Sequence, residues 1–486
     1  MKIKFINAVI VTNNENNDIL KNATMCIENG NIVAIFGDKD NNIDDYQNNN
    51  LNNNNLINHT VISNDYLNCI NKNVNNAEIN LDINDTKRNN KENILTVAED
   101  FIADEIIDVQ GDILMPGFIN ANASSATVLF RGLNDEMDLN QCRYDVLPWL
   151  ERKLTAEDIY YGTLLASLQS VQSGITTIVD SYHHPQEIIN ALKRVGMRAF
   201  VPVVYDLKDN GDRYNYLTQN KKQNAGCFND TQQEIAYCHS VNQQSAEQIE
   251  DTIKYARENN LISMINCSQN LLDVGECANI NNQLSPVSYL ERLGFFDNPA
   301  IISHAVCVDK DDISILSQYD VSVVTNSGSN LKLGNGIAPL QSMLQQKINV
   351  CIGTSDCISN NSIDFFREMY LTATLQKGIL NDSTVLPAQE VLKMATVNGA
   401  KALGLKNVGM IAPNYKADII RLNAKSLSLT PTHNIISNIV YSASKLDVVM
   451  TMINGNIVYQ NGKWTNIDNI EEIVQKCIEI AKKFKL

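Results

Sequence analysis

The sequence predicts an α/β protein built on a (β/α)8 TIM-type barrel, with a small β-sandwich made from both chain ends beside it. From Ile113 onward, eight apolar, β-rich segments alternate with helix-like stretches, as in a parallel barrel with helical crossovers. Before and after that region, short β-branched runs flank Asn-Gly turns, which is typical of hairpins.

The eight predicted barrel strands are short and rich in β-branched residues. They are 113–122, 174–182, 199–206, 234–239, 262–269, 300–306, 321–326 and 348–355. Helix-start signals follow two of them, at Thr155 and at Ser245, the second with Gln248 in a capping-box pattern. The polar region 206–233 predicts a long loop.

The terminal β unit is predicted from hairpins at each end. The first end offers 2–11 and 23–36 around Asn29-Gly30, and the second offers 417–422 and 448–459 around Asn454-Gly455. The predicted domains are therefore 1–112 and 405–465 for the sandwich, 113–404 for the barrel, and 466–486 for a closing helix.

Residues 41–90 differ in composition from the rest of the chain. They contain 20 asparagines in 50 residues and no glycine or proline. Asparagine favours turns over helices or strands, and the segment has no sustained apolar period. We predict a disordered, low-complexity surface insertion. An assembly function of this tract is the alternative interpretation.

Composition excludes several classes of protein. The 486 residues are 44% hydrophobic and 19% charged, enough for a large core, and the net charge of −16 disfavours nucleic acid and anionic membranes as partners. Eleven cysteines without a CxxC pair are typical of reduced thiols. With no apolar run of membrane-spanning length, we expect a cytoplasmic protein.

Several motifs occur in a fixed order on these predicted elements. They are 115–121 (MPGFINA), 129–132 (LFRG), 173–180 (SGITTIVD), 329–333 (SNLKL), 359–364 (SNNSID), 395–404 (ATVNGAKALG) and 416–418 (KAD). Together they resemble the amidohydrolase superfamily, and within it the branch of methylthioadenosine/S-adenosylhomocysteine deaminases and triazine chlorohydrolases. The resemblance covers nearly the whole chain outside the insertion.

The resemblance implies a zinc or iron ion at the carboxyl ends of the barrel strands. In the family, an H-x-H on the first strand, a histidine on the fifth and an aspartate on the eighth hold the metal. A glutamate after the fifth-strand histidine moves protons, and a further histidine ends the sixth strand. The metal lowers the pKa of its bound water, and the resulting hydroxide attacks the C–N carbon.

This sequence departs from the pattern at almost every one of those positions. The four metal-ligand positions carry neutral side chains, and these vestigial ligand positions are Asn122, Ser124, Asn266 and Ser355. The proton-shuttling glutamate is replaced by Gln269, and the sixth-strand histidine is retained as His304. Amides and hydroxyls bind such metals poorly, and an amide cannot shuttle protons near neutral pH. We therefore expect no metal cofactor.

Three substitutes for the lost ligands stay open. Asp356 replaces the aspartate only if the strand end bulges by one residue. His183 and His184 are adjacent, so their side chains point apart on an extended segment. Cys267 and Cys357 flank vacant positions, where a thiolate site competes with ordinary buried packing.

The resemblance also implies that some substrate-contacting residues are retained in this sequence. His239, in Cys-His-Ser, and Glu151 match positions that contact the substrate in nucleoside deaminases, with a loop histidine and a solvated glutamate as the alternatives. Lys332 is interpreted as part of the scaffold.

Together these residues predict a non-catalytic pseudoenzyme that binds a purine nucleoside-like small molecule or a partner. Assembly with a second copy or with an active relative is a further predicted role. The alternative is an active hydrolase or deaminase that acts on non-peptide C–N bonds through an atypical metal site.

Overall fold

The computed structural model describes residues 1–40, 58–62, 101–133, 135–136, 145–202 and 231–484. Most of the predicted long loop 206–233 and most of the predicted disordered insertion 41–90 therefore lie outside the described residues. The described end of the loop corrects the prediction, because Gln232 and Gln233 begin a strand, Gln232–Ser240.

Nineteen strands form two separate sheets in this part of the chain. The amino-terminal arm holds β1 (Lys2–Val11), β2 (Ile19–Glu28), β3 (Asn31–Lys39), β4 (Asn58–Ile62), β5 (Glu105–Asp108) and β6 (Ile113–Pro116). The barrel holds β7 (Phe118–Ser124), β8 (Ile175–Asp180), β9 (Arg198–Pro202), β10 (Gln232–Ser240), β11 (Ser263–Cys267), β12 (Ala300–His304), β13 (Val321–Thr325), β14 (Asn349–Ile352) and β15 (Ser355–Asp356). The carboxy-terminal arm holds β16 (Ile419–Leu422), β17 (Val448–Ile453), β18 (Asn456–Gln460) and β19 (Lys463–Trp464).

The helices of the described residues lie mainly between the barrel strands. The first seven are α1 (Leu147–Glu151), α2 (Ala156–Gln172), α3 (Pro185–Val195), α4 (Ala246–Asn259), α5 (Leu271–Ile280), α6 (Pro286–Arg292) and α7 (Lys310–Leu316). The others are α8 (Ser327–Lys332), α9 (Leu340–Gln345), α10 (Phe365–Leu380), α11 (Ala388–Met394), α12 (Val397–Ala402), α13 (Ile435–Tyr441) and α14 (Ile470–Ala481). Short 3-10 turns are Ser125–Phe130, Phe295–Asp297, Lys445–Asp447 and Lys482–Phe484.

The barrel sheet is parallel and confirms the predicted fold class. Its strands pair in the order β14-β13-β12-β11-β10-β9-β8-β7-β15. The eighth barrel strand is split, because β14 pairs with β13 while its continuation β15 pairs with β7, with Ser355 opposite Ala123. Between them, the Thr354 amide donates to the Asn122 carbonyl at 3.1 Å, so the sheet closes at this seam.

The terminal sheet combines strands from both chain ends. Its path runs β19-β18-β17-β16-β6-β1-β2-β3-β4, and β5 pairs with β1. Apolar residues from both arms, among them Phe5, Met25 and Met450, form one core that is separate from the large core of the barrel. Because neither arm encloses this core alone, the two chain ends fold together.

Both predicted Asn-Gly turns are present, and they touch each other. Asn29-Gly30 and Asn454-Gly455 have positive φ at both residues, as tight hairpins with right-handed twist require. A Cβ placed on Gly30 would lie 2.5 Å from the carbonyl oxygen of Asn454. Glycine is needed there for close approach as well as for its dihedral angles.

The prediction that residues 41–90 are disordered is wrong for the five residues of strand β4. Asn58–Ile62 pairs antiparallel with β3, from Ala34 opposite Ile62 to Asp38 opposite Asn58. The outer edge of β3 offers unpaired backbone groups, and the β-branched run Thr-Val-Ile has strand propensity that outweighs the surrounding asparagines. Disorder of the rest of 41–90 stays a prediction.

Two helix-capping predictions are confirmed. Thr155 forms a capping box with Asp158 at the start of α2, and Ser245 forms one with Gln248 at the start of α4. The closing helix α14 follows the last hairpin, and its end is anchored where Lys483 bonds Asp158 at 2.7 Å. Within the described ranges, no helix combines the length and the apolar character needed to cross a bilayer.

Candidate functional site

A solvent-open cavity of about 840 Å³ lies at the carboxyl ends of the barrel strands. In a barrel of this kind, side chains from the ends of several different strands meet at that face. The cavity brings together all eight predicted site residues, namely Asn122, Ser124, Glu151, His239, Asn266, Gln269, His304 and Ser355. The placement is a structural result, and the roles of these residues stay predictions.

Amide and hydroxyl groups bond to one another across the floor of the cavity. Asn122 Nδ2 donates to Asn326 Oδ1 at 3.4 Å, and Ser124 Oγ donates to the Ser181 carbonyl at 3.0 Å. Asn266 Nδ2 donates to the hydroxyl of Tyr237 at 3.1 Å, while its buried Oδ1 has no partner among the described residues. Asn122, Ser124 and Asn266 are therefore held in a neutral hydrogen-bonding network, whereas the Ser355 hydroxyl donates to Oδ2 of Asp356 at 3.4 Å.

His304 is held at the end of β12. Its Nδ1 lies 2.8 Å from Oδ1 of Asn330, the residue is only 2% exposed, and its φ is +75°. Other positive φ angles occur nearby, at Ser268 after β11, at Ala305 and at Ser355. Non-glycine residues in this region cost energy and persist where the surrounding structure fixes them, often at functional sites.

Glu151 and Tyr182 line one wall of the cavity. Glu151, at the end of α1, lies with Oε1 3.6 Å from Nε2 of His183. The phenol of Tyr182 is buried, and burial, followed by the negative charge of Glu151, raises the pKa of Tyr182 well above its ordinary value. This phenol therefore stays protonated at neutral pH. His184 caps α3 and does not line the cavity.

Asp356 also reaches the cavity, but its carboxylate is engaged locally. Oδ1 accepts the backbone N–H of Ile358 at 2.9 Å and of Ser359 at 2.7 Å. The positive φ of Ser355 provides the local irregularity that brings Ser355 and Asp356 to the same cavity. Asp356 is thus the acidic group next to the vestigial Ser355 position.

The cysteines beside the site are buried thiols. Burial raises the pKa of Cys267 well above its ordinary value and that of Cys357 to about 11. Both are therefore protonated near neutral pH, which disfavours a thiolate ligand or nucleophile. The Lys332 ammonium donates to Asp135 at 2.6 Å and to the Ile358 carbonyl at 2.8 Å, and its interpretation as part of the scaffold stays a prediction.

The donor set of the cavity does not fit a zinc or iron ion. Such ions require imidazole, thiolate or carboxylate ligands, usually three or four of them. Within the described ranges, no three histidine, cysteine, aspartate or glutamate side chains meet in an arrangement that could hold a metal. His304, which ends β12, already has its Nδ1 bonded to Asn330.

Sequence reasoning missed three residues that shape the site. Tyr237 lies two positions before His239 on β10, so the strand period places both on one face and could have indicated it. Asn330 lies inside the recognised 329–333 motif, but its partner His304 could not be identified from spacing. Asp180 ends β8, fully buried, with Oδ1 accepting the Ser125 amide at 3.0 Å.

The environment of Asp180 is unusual for a carboxyl group. Its Oδ2 has no partner among the described residues, and burial raises its pKa to about 6 against the lowering effect of hydrogen bonds from Ser125. It lies beside the β7 end that carries Ser124, to which it is linked through Ser125.

Comparison with known proteins identifies the family. The profile of the amidohydrolase family matches residues 113–458, more than half of the chain. The chain belongs to the amidohydrolase family. A 5-methylthioadenosine/S-adenosylhomocysteine deaminase of Acetivibrio thermocellus is 37% identical over 392 residues, which is 79% of this chain and 90% of the relative. A 5'-deoxyadenosine deaminase of Methanothermobacter thermautotrophicus is 33% identical over 383 residues, 78% and 89% of the two chains. The predicted family and branch are confirmed.

Two solved structures have the same fold as this chain. An adenosine deaminase of Xanthomonas campestris with bound zinc superposes with a TM-score of 0.79 at 21% identity, covering 99% of this chain and 97% of the other. An atrazine chlorohydrolase of Arthrobacter aurescens complexed with zinc gives 0.78 at 18% identity, covering 99% and 100%. At these identities the likeness establishes the fold alone.

Proposed function

We propose that this amidohydrolase-family protein is a non-catalytic relative of the deaminases that binds a purine nucleoside-like molecule in its barrel cavity. One observation carries the proposal. Asn122, Ser124, Asn266 and Ser355 present only amides and hydroxyls to the cavity, whereas His304, His239 and Glu151 line the same space. The positions implied for metal binding have changed, while those implied for substrate contact have not.

The lack of catalysis follows from the chemistry of these side chains. Hydrolytic deamination in this family depends on a metal-bound hydroxide as the nucleophile. Asn122 and Asn266 are instead bonded to Asn326 and Tyr237, and neutral oxygens do not replace imidazole around zinc. Gln269 lines the cavity as an amide, which neither takes up nor releases a proton usefully near neutral pH.

Binding without turnover is supported by the lining of the cavity. Polar groups on several strands converge on it, as they do in small-molecule sites. The named relatives are deaminases of methylthioadenosine, S-adenosylhomocysteine and 5'-deoxyadenosine. We propose that this chain also binds a nucleoside, and that Glu151 and His239 contact it. Association with an active relative is part of the same proposal.

Three measurements on the purified protein test the proposal. We expect far less than one zinc or iron per chain by elemental analysis, no ammonia release from adenosine or methylthioadenosine, and measurable heat of binding in calorimetry with those two nucleosides or S-adenosylhomocysteine. A few neutral hydrogen bonds of about 1 kcal/mol each predict modest affinity. His239→Ala should weaken binding, and His433→Ala, at an exposed position, should not.

Two results would contradict this proposal. Stoichiometric metal that survives dialysis, together with ammonia release at a rate typical of the family, would establish the active-hydrolase alternative. An absence of heat with all three ligands would remove the binding role.

A further inference from the structure

We propose that Glu368 is a positioning residue of the barrel cavity: its carboxylate joins the start of α8 to the loop 354–360, and so fixes the wall that these two segments present to a ligand. Glu368 lies on α10 and is not among the residues that line the cavity. The effect on the ligand rests on the proposed binding function. The contacts of Glu368 are a property of the ligand-free protein, so the two parts are tested separately.

Both oxygens of the Glu368 carboxylate accept hydrogen bonds from groups outside α10. Oε2 accepts the backbone N–H of Gly328 at 3.0 Å, and Oε1 accepts from Nδ2 of Asn360 at 2.9 Å. Glu368 and Asn360 are 0% and 2% exposed, and hydrogen bonds to a charged group are the strong ones in such surroundings. We call these two contacts the Glu368 joint.

The orientation of the Asn360 amide is fixed by its other contacts. Its Nδ2 also donates to the Thr354 carbonyl at 2.8 Å, and its Oδ1 accepts from Nη1 of Arg367 at 3.3 Å. Rotation of this amide by half a turn would set its oxygen against two acceptors and its NH2 group against a donor. Glu368 therefore faces two N–H groups that can only donate, and an ionised carboxylate satisfies both of them.

Gly328 allows the carboxylate to approach the backbone. A Cβ on Gly328 would overlap Oε1 of Glu368 and lie 2.8 Å from Oδ1 of Asn360. A side chain at this position would displace the carboxylate from its donors, so the close approach requires glycine.

Residues on both joined segments line the cavity. They are Leu333 at the end of α8, and Ser355, Asp356, Ile358 and Ser359 in the loop. The two segments also contact each other, because Ser329 Oγ donates to Ser359 Oγ at 2.8 Å. On α8, Asn330 Oδ1 lies 2.8 Å from Nδ1 of His304. A change at the Glu368 carboxylate is therefore passed to side chains that face the ligand.

Acid should loosen the Glu368 joint. Burial raises the pKa of Glu368 above its ordinary value, against the lowering effect of the hydrogen bonds from Gly328 and Asn360. Arg367 also lowers this pKa, and Asp364 raises it. Other charged groups on the neighbouring elements are Lys377 on α10, Lys332 on α8, Asp356 in the loop, and Glu390 and Lys393 on α11. Protonation places a hydrogen on a carboxylate that faces two donors, so it weakens the joint.

The ionisation of Glu368 is tested by NMR on protein with 13C at the serine carbonyl and 15N in glycine. Serine precedes glycine at two places, 173–174 and 327–328, so the correlation spectrum of Ser-Gly bonds holds two signals. Ser173→Ala removes the Gly174 signal and assigns the other. We expect the Gly328 amide to titrate with a midpoint above the ordinary glutamate value of about 4.5. Gly174, which donates to the Val171 carbonyl at 3.2 Å, should not follow it.

Glu368→Gln should abolish this titration of Gly328, because an amide does not ionise. Glu390→Gln is the matched control, since it removes a carboxylate of α11 that is 44% exposed and pairs with Lys393 at 3.7 Å. It should leave the titration unchanged. A Gly328 signal that does not respond to pH, or that titrates equally in Glu368→Gln, would overturn the joint. The first of these results needs only the unmodified protein, so it holds even if Glu368→Gln does not fold.

Calorimetry with adenosine at about pH 7 and about pH 5 tests the effect on the ligand. We expect Glu368→Gln to bind about tenfold more weakly at the higher pH, the equivalent of one or two hydrogen bonds lost from the displaced wall. The affinity of the unmodified protein should fall toward the lower pH more than that of Glu368→Gln, and Glu390→Gln should behave as the unmodified protein does.

Equal affinities of Glu368→Gln and the unmodified protein at both pH values would overturn the positioning role. If adenosine binds to none of these proteins, the ligand part fails together with the proposed function. The Gly328 titration still decides whether the Glu368 joint exists, so the two failures are distinguishable.

Discussion

Arg198 and Asp418 form a buried ion pair between the first residue of β9 and the residue that precedes β16. Nε and Nη2 of the arginine donate to the two carboxylate oxygens at 2.8 and 3.1 Å. The side chains are 4% and 1% exposed, and the Asn454 amide also donates to Asp418 at 2.7 Å. A single carboxylate therefore joins the barrel to the turn between β17 and β18.

Arg198→Ala should destabilise the fold strongly. It leaves the buried carboxylate of Asp418 without its cation, a change that typically costs about 3–5 kcal/mol. Denaturant unfolding measures the loss. Arg257→Ala removes an arginine whose pair with Asp297 is 58% and 59% exposed at 3.6 Å, and it should cost less than about 1 kcal/mol. Equal effects of both variants would contradict a structural role of the buried pair.

The strands of this fold could be predicted because their signal is local. The run at 2–11 and the segments from 113 to 355 carry the β-branched, apolar pattern within a few residues, and the Asn-Gly turns encode positive φ directly. The split of the eighth strand could not be predicted, because it consists in the two halves pairing with different neighbours, β14 with β13 and β15 with β7.

Only those residues of the candidate site that occupy positions of the family's motifs could be predicted. The family resemblance identified each of the eight cavity residues separately, without showing how they contact one another. The contacts among them join elements that are far apart in sequence, such as Asn122 with Asn326 and His304 with Asn330. Hydrogen-bond partners of this kind are set by the packing of strand ends, which no spacing in the chain encodes.

Asp180 should make stability depend on pH. Its pKa in the folded protein is about 6, raised by burial from an ordinary value of 3.8. Between those values the folded state binds more protons than the unfolded state, so stability falls as pH rises through this window. The loss is on the order of 3 kcal/mol and is complete above the folded pKa.

Asp180→Asn tests this dependence, because the amide keeps an oxygen for the Ser125 N–H but does not ionise. We expect the unfolding free energy of the variant, minus that of the unmodified protein, to be larger at about pH 7 than at about pH 4. Asp382→Asn is the control. Hydrogen bonds from Thr384 lower the pKa of that exposed carboxyl, so its contribution has the opposite sign. A difference that does not vary with pH would refute the role of Asp180.

Cys267 and Cys357 should react slowly with iodoacetamide in the folded protein. Alkylation requires the thiolate, and burial keeps both thiols protonated at neutral pH. Peptide mass spectrometry should show them labelled no faster than Cys351, a buried strand cysteine whose pKa is raised to about 12. All three should label rapidly in urea. Selective labelling of Cys267 or Cys357 in the native state would instead support the thiolate site.

Restoring the vestigial ligand positions should create a zinc site. Asn122 and Ser124 lie two residues apart on β7 and both face the cavity, with Asn266 and Ser355 on β11 and β15. The variant Asn122→His/Ser124→His/Asn266→His/Ser355→Asp would supply three imidazoles and a carboxylate from those strand ends. These are ligands that zinc prefers, in the number it requires. We expect about one zinc per chain after dialysis, measured by elemental analysis.

Two controls separate a rebuilt site from loose binding to added histidines. The unmodified protein should hold far less zinc, and the variant with only Asn266→His/Ser355→Asp should hold much less than the fourfold variant, because it lacks the two imidazoles on β7 and Nδ1 of His304 is bonded to Asn330. Added zinc should also raise the unfolding temperature of the fourfold variant, because a ligand that binds the folded state stabilises it. If the fourfold variant folds yet holds no more zinc than the unmodified protein, the strand ends do not keep the geometry that metal binding requires.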